Sequence, residues 1–387
     1  MGDTDKQTEV VIATLMRPEG DTGVQTHFNQ VQQWLRQSGV AVSLITPFSA
    51  PLILVYPTFA IRTIIDRING PASVWWYRYW HYVFLKQALR KRLREGGDAT
   101  VYAQCPVSAK AALEARKSPR QRVVMVVHFN VSQSDEWVSK GMMKMSGRLY
   151  QAIRRYEAEV LPRLDGIIYL SDYVRRAVER NVPGVAAVPS LLVPNFIRIP
   201  PAADLDGPNG DLINIGTLEP RKNQEFLVRV LAEAAQRGKH YTLTLVGEGP
   251  DRQRLERLAK ELGLAAQVTF MGRQPDAARF LPSHRVYCHS ATMENMPIAL
   301  IEALSRGLPI LAAPVGGIPE VFRDGDEGYY WRLDDPAGSA TTLVQLLDDP
   351  AMHARMSIAA RKRFAEEFEE NVVGARLLPF LVGPGPR

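Results

Sequence analysis

Short apolar runs alternate along this chain with longer segments whose apolar residues recur every three or four positions, the pattern of parallel strands joined by crossover helices. Residues 10–16 read as a buried strand. A Gly-containing turn, Glu19-Gly20-Asp21-Thr22-Gly23, follows, then an amphipathic helix over 24–38 closed by Gly39 at the C′ position. Further strands are predicted at 40–45, 99–103, 123–127, 166–170 and 191–193, with Ser171-Asp172 as the cap and first turn of a helix. Near Pro194 the pattern stops: from there to Asn209 prolines recur at 194, 200, 201 and 208 without a sustained period, which marks a linker. The alternation restarts with strands at 212–215, 243–246, 268–271, 286–289 and 310–312, each followed by a helical segment. Residues 350–378 keep a helical period and then run into Pro-Gly-Pro. The expectation is an α/β protein with two tandem Rossmann-like, doubly wound domains, residues 1–200 and 201–365. Residues 366–387 should pack back toward the first.

Composition narrows the class. A chain of 387 residues, 46% hydrophobic and 23% charged, is long enough for two cores and excludes disordered, collagen-like and coiled-coil readings. Its two cysteines, Cys105 and Cys288, are too far apart in sequence for a metal or redox spacing, so a reduced cytoplasmic protein is expected. The polar opening Met-Gly-Asp-Thr-Asp-Lys lacks a secretory h-region, and no stretch reaches the roughly 18 apolar residues of a spanning helix.

The net charge of +6 is unevenly placed. Residues 1–200 hold 26 basic and 16 acidic side chains, and residues 201–387 hold 21 and 25. Eight cations (Arg62, Arg67, Arg78, Lys86, Arg90, Lys91, Arg92 and Arg94) stand against one acid, Asp66. Among them lies an aromatic run, Trp75, Trp76, Tyr77, Tyr79, Trp80, Tyr82 and Phe84. Core packing accounts for some of these aromatics. An aromatic and basic surface also suits an anionic bilayer, and nucleic acid would use the same composition. The membrane surface, with Arg62, Arg67, Trp75, Trp76, Arg78, Trp80, Lys86, Arg90, Lys91 and Arg92 as its residues, is the reading placed first.

Ligands of open parallel sheets bind at the C-terminal ends of strands, so the residues just after predicted strands carry the chemistry. Arg221 and Lys222, in Ile215-Gly216-Thr217-Leu218-Glu219-Pro220-Arg221-Lys222-Asn223, stand between a strand and a helix, where two cations suit a phosphate; a solvated basic turn is the other reading. Val246-Gly247-Glu248-Gly249 partly imitates a dinucleotide fingerprint, but Arg252 replaces the third glycine. In His289-Ser290-Ala291-Thr292-Met293-Glu294-Asn295-Met296-Pro297, Pro297 suits the first position of a helix running through Arg306 to Gly307. Amides from Asn295 onward would face an anion. Glu302 falls inside that apolar helix, where an ionised carboxylate needs partners; the vicinal hydroxyls of a ribose or a neighbouring Arg or Lys would serve. Asp324-Gly325-Asp326 matches a metal-holding pattern but reads as a turn, and no metal is expected.

Taken in order, Gly-Thr-Leu-Glu-Pro-Arg-Lys-Asn, Val-Gly-Glu-Gly-Pro, the carboxylates Glu294 and Glu302, and Gly316-Gly317-Ile318-Pro319-Glu320 resemble the C-terminal half of family 4 retaining glycosyltransferases of the GT-B fold. Asp21-Thr22-Gly23-Val24-Gln25-Thr26-His27 resembles that family's Gly-rich first loop, and Val127-His128-Phe129 its strand-terminal histidine. The resemblance implies that Lys222 and Arg221 neutralise the diphosphate of a nucleotide-sugar donor, with Gly216 and Gly247 in the donor-binding turns. It implies that Glu302 holds the ribose, and that Glu294 with the backbone of Asn295, Met296 and Pro297 holds the sugar. His128 would lie near the donor sugar, and Gly23 would let the first loop approach it. Thr217 stands where many relatives have Arg, which leaves the clamp to Lys222 and Arg221. Glu294-Asn295 varies the more usual Glu-Gly.

The implied activity is transfer, with retention, from a nucleotide diphosphate sugar to an acceptor, without metal or other cofactor. The acceptor expected is a lipid-linked saccharide of bacterial exopolysaccharide or other surface glycan assembly, met by a cytoplasmic protein lying peripherally on the inner face of the membrane. An epimerase or phosphorylase on the same fold, or a non-enzymatic nucleotide-sugar or nucleic-acid binder, are the alternatives.

Overall fold

Runs such as Arg122-Val123-Val124-Met125-Val126-Val127, apolar on both faces, can only be central strands of a sheet covered on both sides. In the computed structural model, which describes residues 9–20, 22–93, 97–199 and 210–383, they are. The chain divides into two units, one running to Pro194 and resuming at Val373, the other spanning Asn195–Val372.

The first unit holds β1 (Glu9–Ala13), β2 (Val42–Ile45), β3 (Ala99–Ala103), β4 (Gln121–Val127), β5 (Gly166–Tyr169) and β6 (Ser190–Leu192). They form one parallel sheet in the order β2-β1-β3-β4-β5-β6. Its helices are α1 (Gly23–Gln37), α2 (Leu52–Ile68), α3 (Gly70–Arg92), α4 (Pro106–Ala115), α5 (Gln133–Ser139), α6 (Arg148–Val160) and α7 (Asp172–Asn181). Thr22 caps α1 in a capping box with Gln25, and Ser171 caps α7. The second unit repeats the scheme with β7 (Gly210–Ile215), β8 (Leu243–Val246), β9 (Val268–Gly272), β10 (His284–His289), β11 (Ile310–Ala312) and β12 (Gly328–Tyr330), in the parallel order β12-β11-β10-β7-β8-β9. Its helices are α8 (Gln224–Gln236), α9 (Arg252–Glu261), α10 (Ile298–Ser305), α11 (Ile318–Val321), α12 (Pro336–Asp348) and α13 (Pro350–Glu367); α14 (Glu370–Val382) begins here and belongs to the first unit from Val373 onward. Both sheets are doubly wound. In each the strand order reverses beside the first strand, between β1 and β3 and between β7 and β10, which is where open parallel sheets place their ligands, at the strand C-termini.

Several expectations are corrected. The 350–378 helix is two, because Phe368 and Glu369 leave the helix: the Phe368 carbonyl accepts from Ile197 N at 3.1 Å and Glu369 pairs with Ile197. The same pairing takes Asn195, Phe196 and Ile197 out of the expected linker, since all three are buried in the second unit. Pro200–Asn209, the rest of that linker, lies outside the described residues, as do Asp21, Arg94, the chain's opening and the terminal Pro-Gly-Pro. Pro297 is the N-cap of α10 rather than its first residue. The short edge strand β12 carried no sequence signal.

The largest correction concerns the aromatic and basic band. It is a helical hairpin, α2 and α3, and much of it faces inward. Trp76 donates from Nε1 to the Thr58 carbonyl at 2.9 Å, and Trp80 packs with Phe48, Phe59 and Phe84. Arg62 lies over the Tyr77 ring and hydrogen-bonds Ser73; Arg78 is held by Gln133, Lys86 by Glu114 and Arg92 by Glu9. Only Arg67, Trp75, Arg90 and Lys91 of the ten named residues are exposed. The open apolar surface is instead on α2, where Val55 alone is buried while Ile53 and Ile68 are 82% and 79% exposed. No helix among the described residues is long and apolar enough to cross a membrane.

Candidate active site at the strand C-termini

In the second unit the turn after β7 and the loop after β10 are sewn together. The Arg221 carbonyl accepts from Thr292 N, and the Lys222 carbonyl from Ser290 Oγ, both at 2.9 Å. Beneath them Asn214 Nδ2 donates to the Cys288 carbonyl at 2.7 Å and Gln224 Nε2 to the Thr217 carbonyl at 3.0 Å. Asn223 adopts a left-handed conformation, φ 51°, to turn the chain into α8.

Three groups converge on the buried carboxylate of Glu294. The Lys222 ammonium donates to Oε1, Arg221 Nη1 lies 3.4 Å from it, and His289 Nε2 lies 3.2 Å away. Arg221 is further fixed by the Met293 carbonyl at 3.0 Å and by Glu219 at 2.8 Å. Burial alone would raise the Glu294 carboxyl; Lys222, the His289 hydrogen bond and Arg221 override it and hold the group well below the usual carboxylate range. Burial pushes His289 down, so it is a neutral donor through Nε2, and its buried Nδ1 has no hydrogen-bond partner among the described residues.

Backbone crossings fix the same loops. A Cβ on Gly316, at φ +59°, would come within 1.7 Å of the Glu294 carbonyl oxygen, which accepts from Gly317 N at 3.2 Å. A Cβ on Gly247, at φ +148°, would come within 1.9 Å of the Gly216 carbonyl. Asn295, Met296 and Pro297 are buried, with the Met296 carbonyl accepting from Asn195 Nδ2 at 2.6 Å. Glu302 is set apart from this network. On α10 its half-buried carboxylate has no hydrogen-bond partner among the described residues; burial, then Asp276, raise it to about 7 against the opposing pull of Arg306. Of the residues singled out in this half, Arg221, Lys222 and Glu294 are therefore in direct contact, Gly216 and Gly247 lie at adjoining turns, and Glu302 stands alone. Asp324 forms part of a turn, its Oδ1 accepting from Tyr330 N at 2.7 Å, with Gly325 at φ +83°.

The first unit carries a cluster of a different kind at the equivalent place. His128, just past β4, meets Gln104 Oε1 through Nε2 at 3.0 Å and stands edge-on to His27, with ring centroids 4.8 Å apart. His27 Nε2 lies 2.8 Å from the Tyr102 hydroxyl, itself buried on β3. Burial, and then His27, push His128 well below the ordinary histidine range, so His128 is neutral. In the first loop Gln25 Nε2 bonds the Arg17 and Glu19 carbonyls at 3.0 and 2.7 Å, while beyond its own helix and chain neighbours no atom of the described residues lies within 4 Å of where a Gly23 Cβ would stand.

Sequence reasoning missed His289, Gln104, Tyr102 and Glu219, and gave His27 no role. One signal could have found His289: it ends β10 as His128 follows β4.

Residues 22–199 match the family model described as Glycosyltransferase Family 4, and residues 197–363 match Glycosyl transferases group 1. The chain is 32% identical over 162 residues to an N-acetyl-alpha-D-glucosaminyl L-malate synthase of Bacillus anthracis, a match spanning 42% of each chain and so less than half of that relative's length. It is 27% identical to a phosphatidyl-myo-inositol mannosyltransferase of Mycolicibacterium smegmatis over 92% of this chain and 89% of the other. Among solved structures, Anabaena HepE in complex with UDP and glucose superposes with a TM-score of 0.70 over 98% of this chain and all of that one, at 16% identity. With the two models matching residues 22–363 in succession over a doubly wound pair of domains, the chain belongs to the family 4 glycosyltransferases of the GT-B fold.

Proposed function

We propose that the protein transfers a sugar, with retention, from a nucleotide diphosphate sugar to a lipid-linked saccharide acceptor in surface glycan assembly. The observation that carries this reading is the meeting of Lys222, Arg221 and Glu294 at the β7/β10 switch point. Transfer develops negative charge on the departing diphosphate, and fixed cations are the main physical lever on that charge. A diphosphate arriving at Lys222 and Arg221 competes with Glu294 for them. Binding thus exchanges partners, placing the cations on the phosphates and releasing the carboxylate to accept from sugar hydroxyls. Glu302, without a hydrogen-bond partner among the described residues, is the acceptor for the ribose hydroxyls. Because the cations supply the countercharge, transfer should persist in the presence of a chelator.

A panel of UDP, GDP and ADP sugars, read by thermal shift and by hydrolysis to the nucleotide diphosphate, tests the reading. Stabilisation with slow hydrolysis supports it; epimer formation or phosphorolysis would replace transfer by another reaction. The exposed apolar face of α2, with Arg67, Arg90 and Lys91 nearby in the hairpin, supports a peripheral position on an anionic membrane. Flotation with anionic liposomes, lost in Ile53→Asp/Ile64→Asp, is the expected outcome; failure of the wild-type protein to float would remove the membrane from the proposal.

A further inference from the structure

A groove of about 320 Å³ lies between α3, α4 and α6 of the first unit, within the range of small-ligand sites. Helical spacing builds it. Trp75, Arg78, Tyr79 and Tyr82 form one row of α3, while Ser73 and Trp76 on the same helix are engaged by α2. All three helices are crossovers on one face of a parallel sheet, so they run in the same direction and their first turns share an end of the groove. That end is apolar, with Trp75, Val107, Leu149 and Ile153.

The charge lies farther along. The Arg78 guanidinium and the Lys110 ammonium stand 5.0 and 4.9 Å from the centroid of the same ring, Tyr156. Glu114, the acid of the lining, is engaged by the Tyr82 hydroxyl and by Lys86 at 3.0 Å. Among the described residues Lys110 has only long pairings, 4.0 Å to Glu114 and 3.7 Å to Glu159. Arg78 donates from Nη1 to Gln133 at 2.6 Å, but its buried Nη2 has no acceptor among the described residues. A buried donor without a partner is costly, and an anionic oxygen would satisfy it.

We propose that this groove binds a single-chain anionic amphiphile, its acyl or isoprenyl chain against Trp75, Val107, Leu149 and Ile153 and its anionic head at Arg78 and Lys110. That this ligand is the lipid end of the acceptor rests on the function proposed above; the binding does not. The probe is dodecyl phosphate below its micelle concentration, titrated into the full chain and read by tryptophan fluorescence, which Trp75 reports from inside the groove. Saturable binding is expected. Lys110→Glu should weaken it about tenfold through the lost charge contact. Ala152→Trp, a substitution at an exposed rim position, should abolish it, with melting temperature and donor hydrolysis unchanged in both variants. Equal binding of dodecyl trimethylammonium, equal binding of inorganic phosphate, or undiminished binding by Ala152→Trp would each overturn the proposal. Binding by a protein that hydrolyses no nucleotide sugar would keep the groove and remove only its link to an acceptor.

Discussion

The two units share a sheet architecture and carry different chemistry at the same place in it. At the end of β4, His128, Gln104, His27 and Tyr102 form a polar cluster without a carboxylate, in which His128 is held neutral. At the end of β10, His289 is likewise neutral but stands within a knot of full charges, Lys222, Arg221 and Glu294. The fold supplies a crevice with converging strand ends; side chains decide whether that crevice handles hydroxyls or phosphates. The asymmetry fits a reaction in which one partner is a diphosphate and the other a saccharide.

The sharpest way to break the comparison is to remove charge from the second unit. Lys222→Ala takes away the cation closest to Glu294 and to any bound diphosphate. Turnover should fall by about 10³, the range for deleting one preorganised electrostatic contact to developing charge. Arg221 and His289 remain to hold Glu294, so the melting temperature should change little. Steady-state transfer beside a thermal melt decides it, and near-normal turnover would remove the phosphate site from this turn.

Glycines offer a second contrast. Gly316→Ala forces a Cβ to within 1.7 Å of a backbone oxygen at φ +59°, and should cost about 3 kcal/mol while shifting the Glu294 loop. Gly23→Ala meets nothing within 4 Å among the described residues beyond its own helix and should change stability by less than about 0.5 kcal/mol. If Gly23→Ala nonetheless lowers transfer, the space beside it is occupied by substrate. Chemical denaturation of both variants, paired with transfer assays, separates packing from approach.

These glycines also show what the sequence could and could not convey. Strands β3, β8 and β11 are legible to the residue, because a strand covered on both faces reads as a continuous apolar run. Arg221, Lys222 and Glu294 are legible as chemistry from their place after strands. Their mutual contact is not, since it joins residues 72 and 73 positions apart. Gly316 is legible as a motif but not as the residue on which the Glu294 carbonyl rests. The α2–α3 hairpin misleads for the converse reason: aromatics suggest a surface, yet Trp76 and Trp80 are packed and the exposed face belongs to aliphatic α2. Apolar residues facing solvent break the rule on which pattern reading depends.

The pH dependence of donor binding sharpens the contrast further. Burial raises Glu302 to about 7, and under the proposed function its ionised form is the one that accepts hydrogen bonds from both ribose hydroxyls. Below pH 7 binding must expel a proton, so affinity should fall by up to about tenfold per pH unit. His128, held neutral by burial, should add no dependence near neutrality. Calorimetric titration of the donor at pH 6, 7 and 8 should show the slope in the wild type and a flat, weaker profile in Glu302→Gln. The same slope in both would assign the proton elsewhere.

The smallest effect lies in the first unit and concerns stability alone. Glu157 on α6 is 2% exposed, accepts from Ser132 Oγ at 2.5 Å and from Gln133 N at 2.9 Å, and is raised by burial to about 7. Between the ordinary carboxyl range and pH 7 the folded chain therefore binds more protons here than the unfolded chain, so stability falls as pH rises through that window. Above pH 7 the penalty is complete and amounts to at most about 3 kcal/mol. Glu157→Gln removes the charge but also one accepting oxygen, at a cost of about 1 kcal/mol. The variant should be slightly less stable than the wild type at pH 5 and more stable, by at most about 2 kcal/mol, at pH 8. A crossing of the two melting curves against pH is the expected result; parallel curves would mean that Glu157 is already ionised in the folded chain at pH 5.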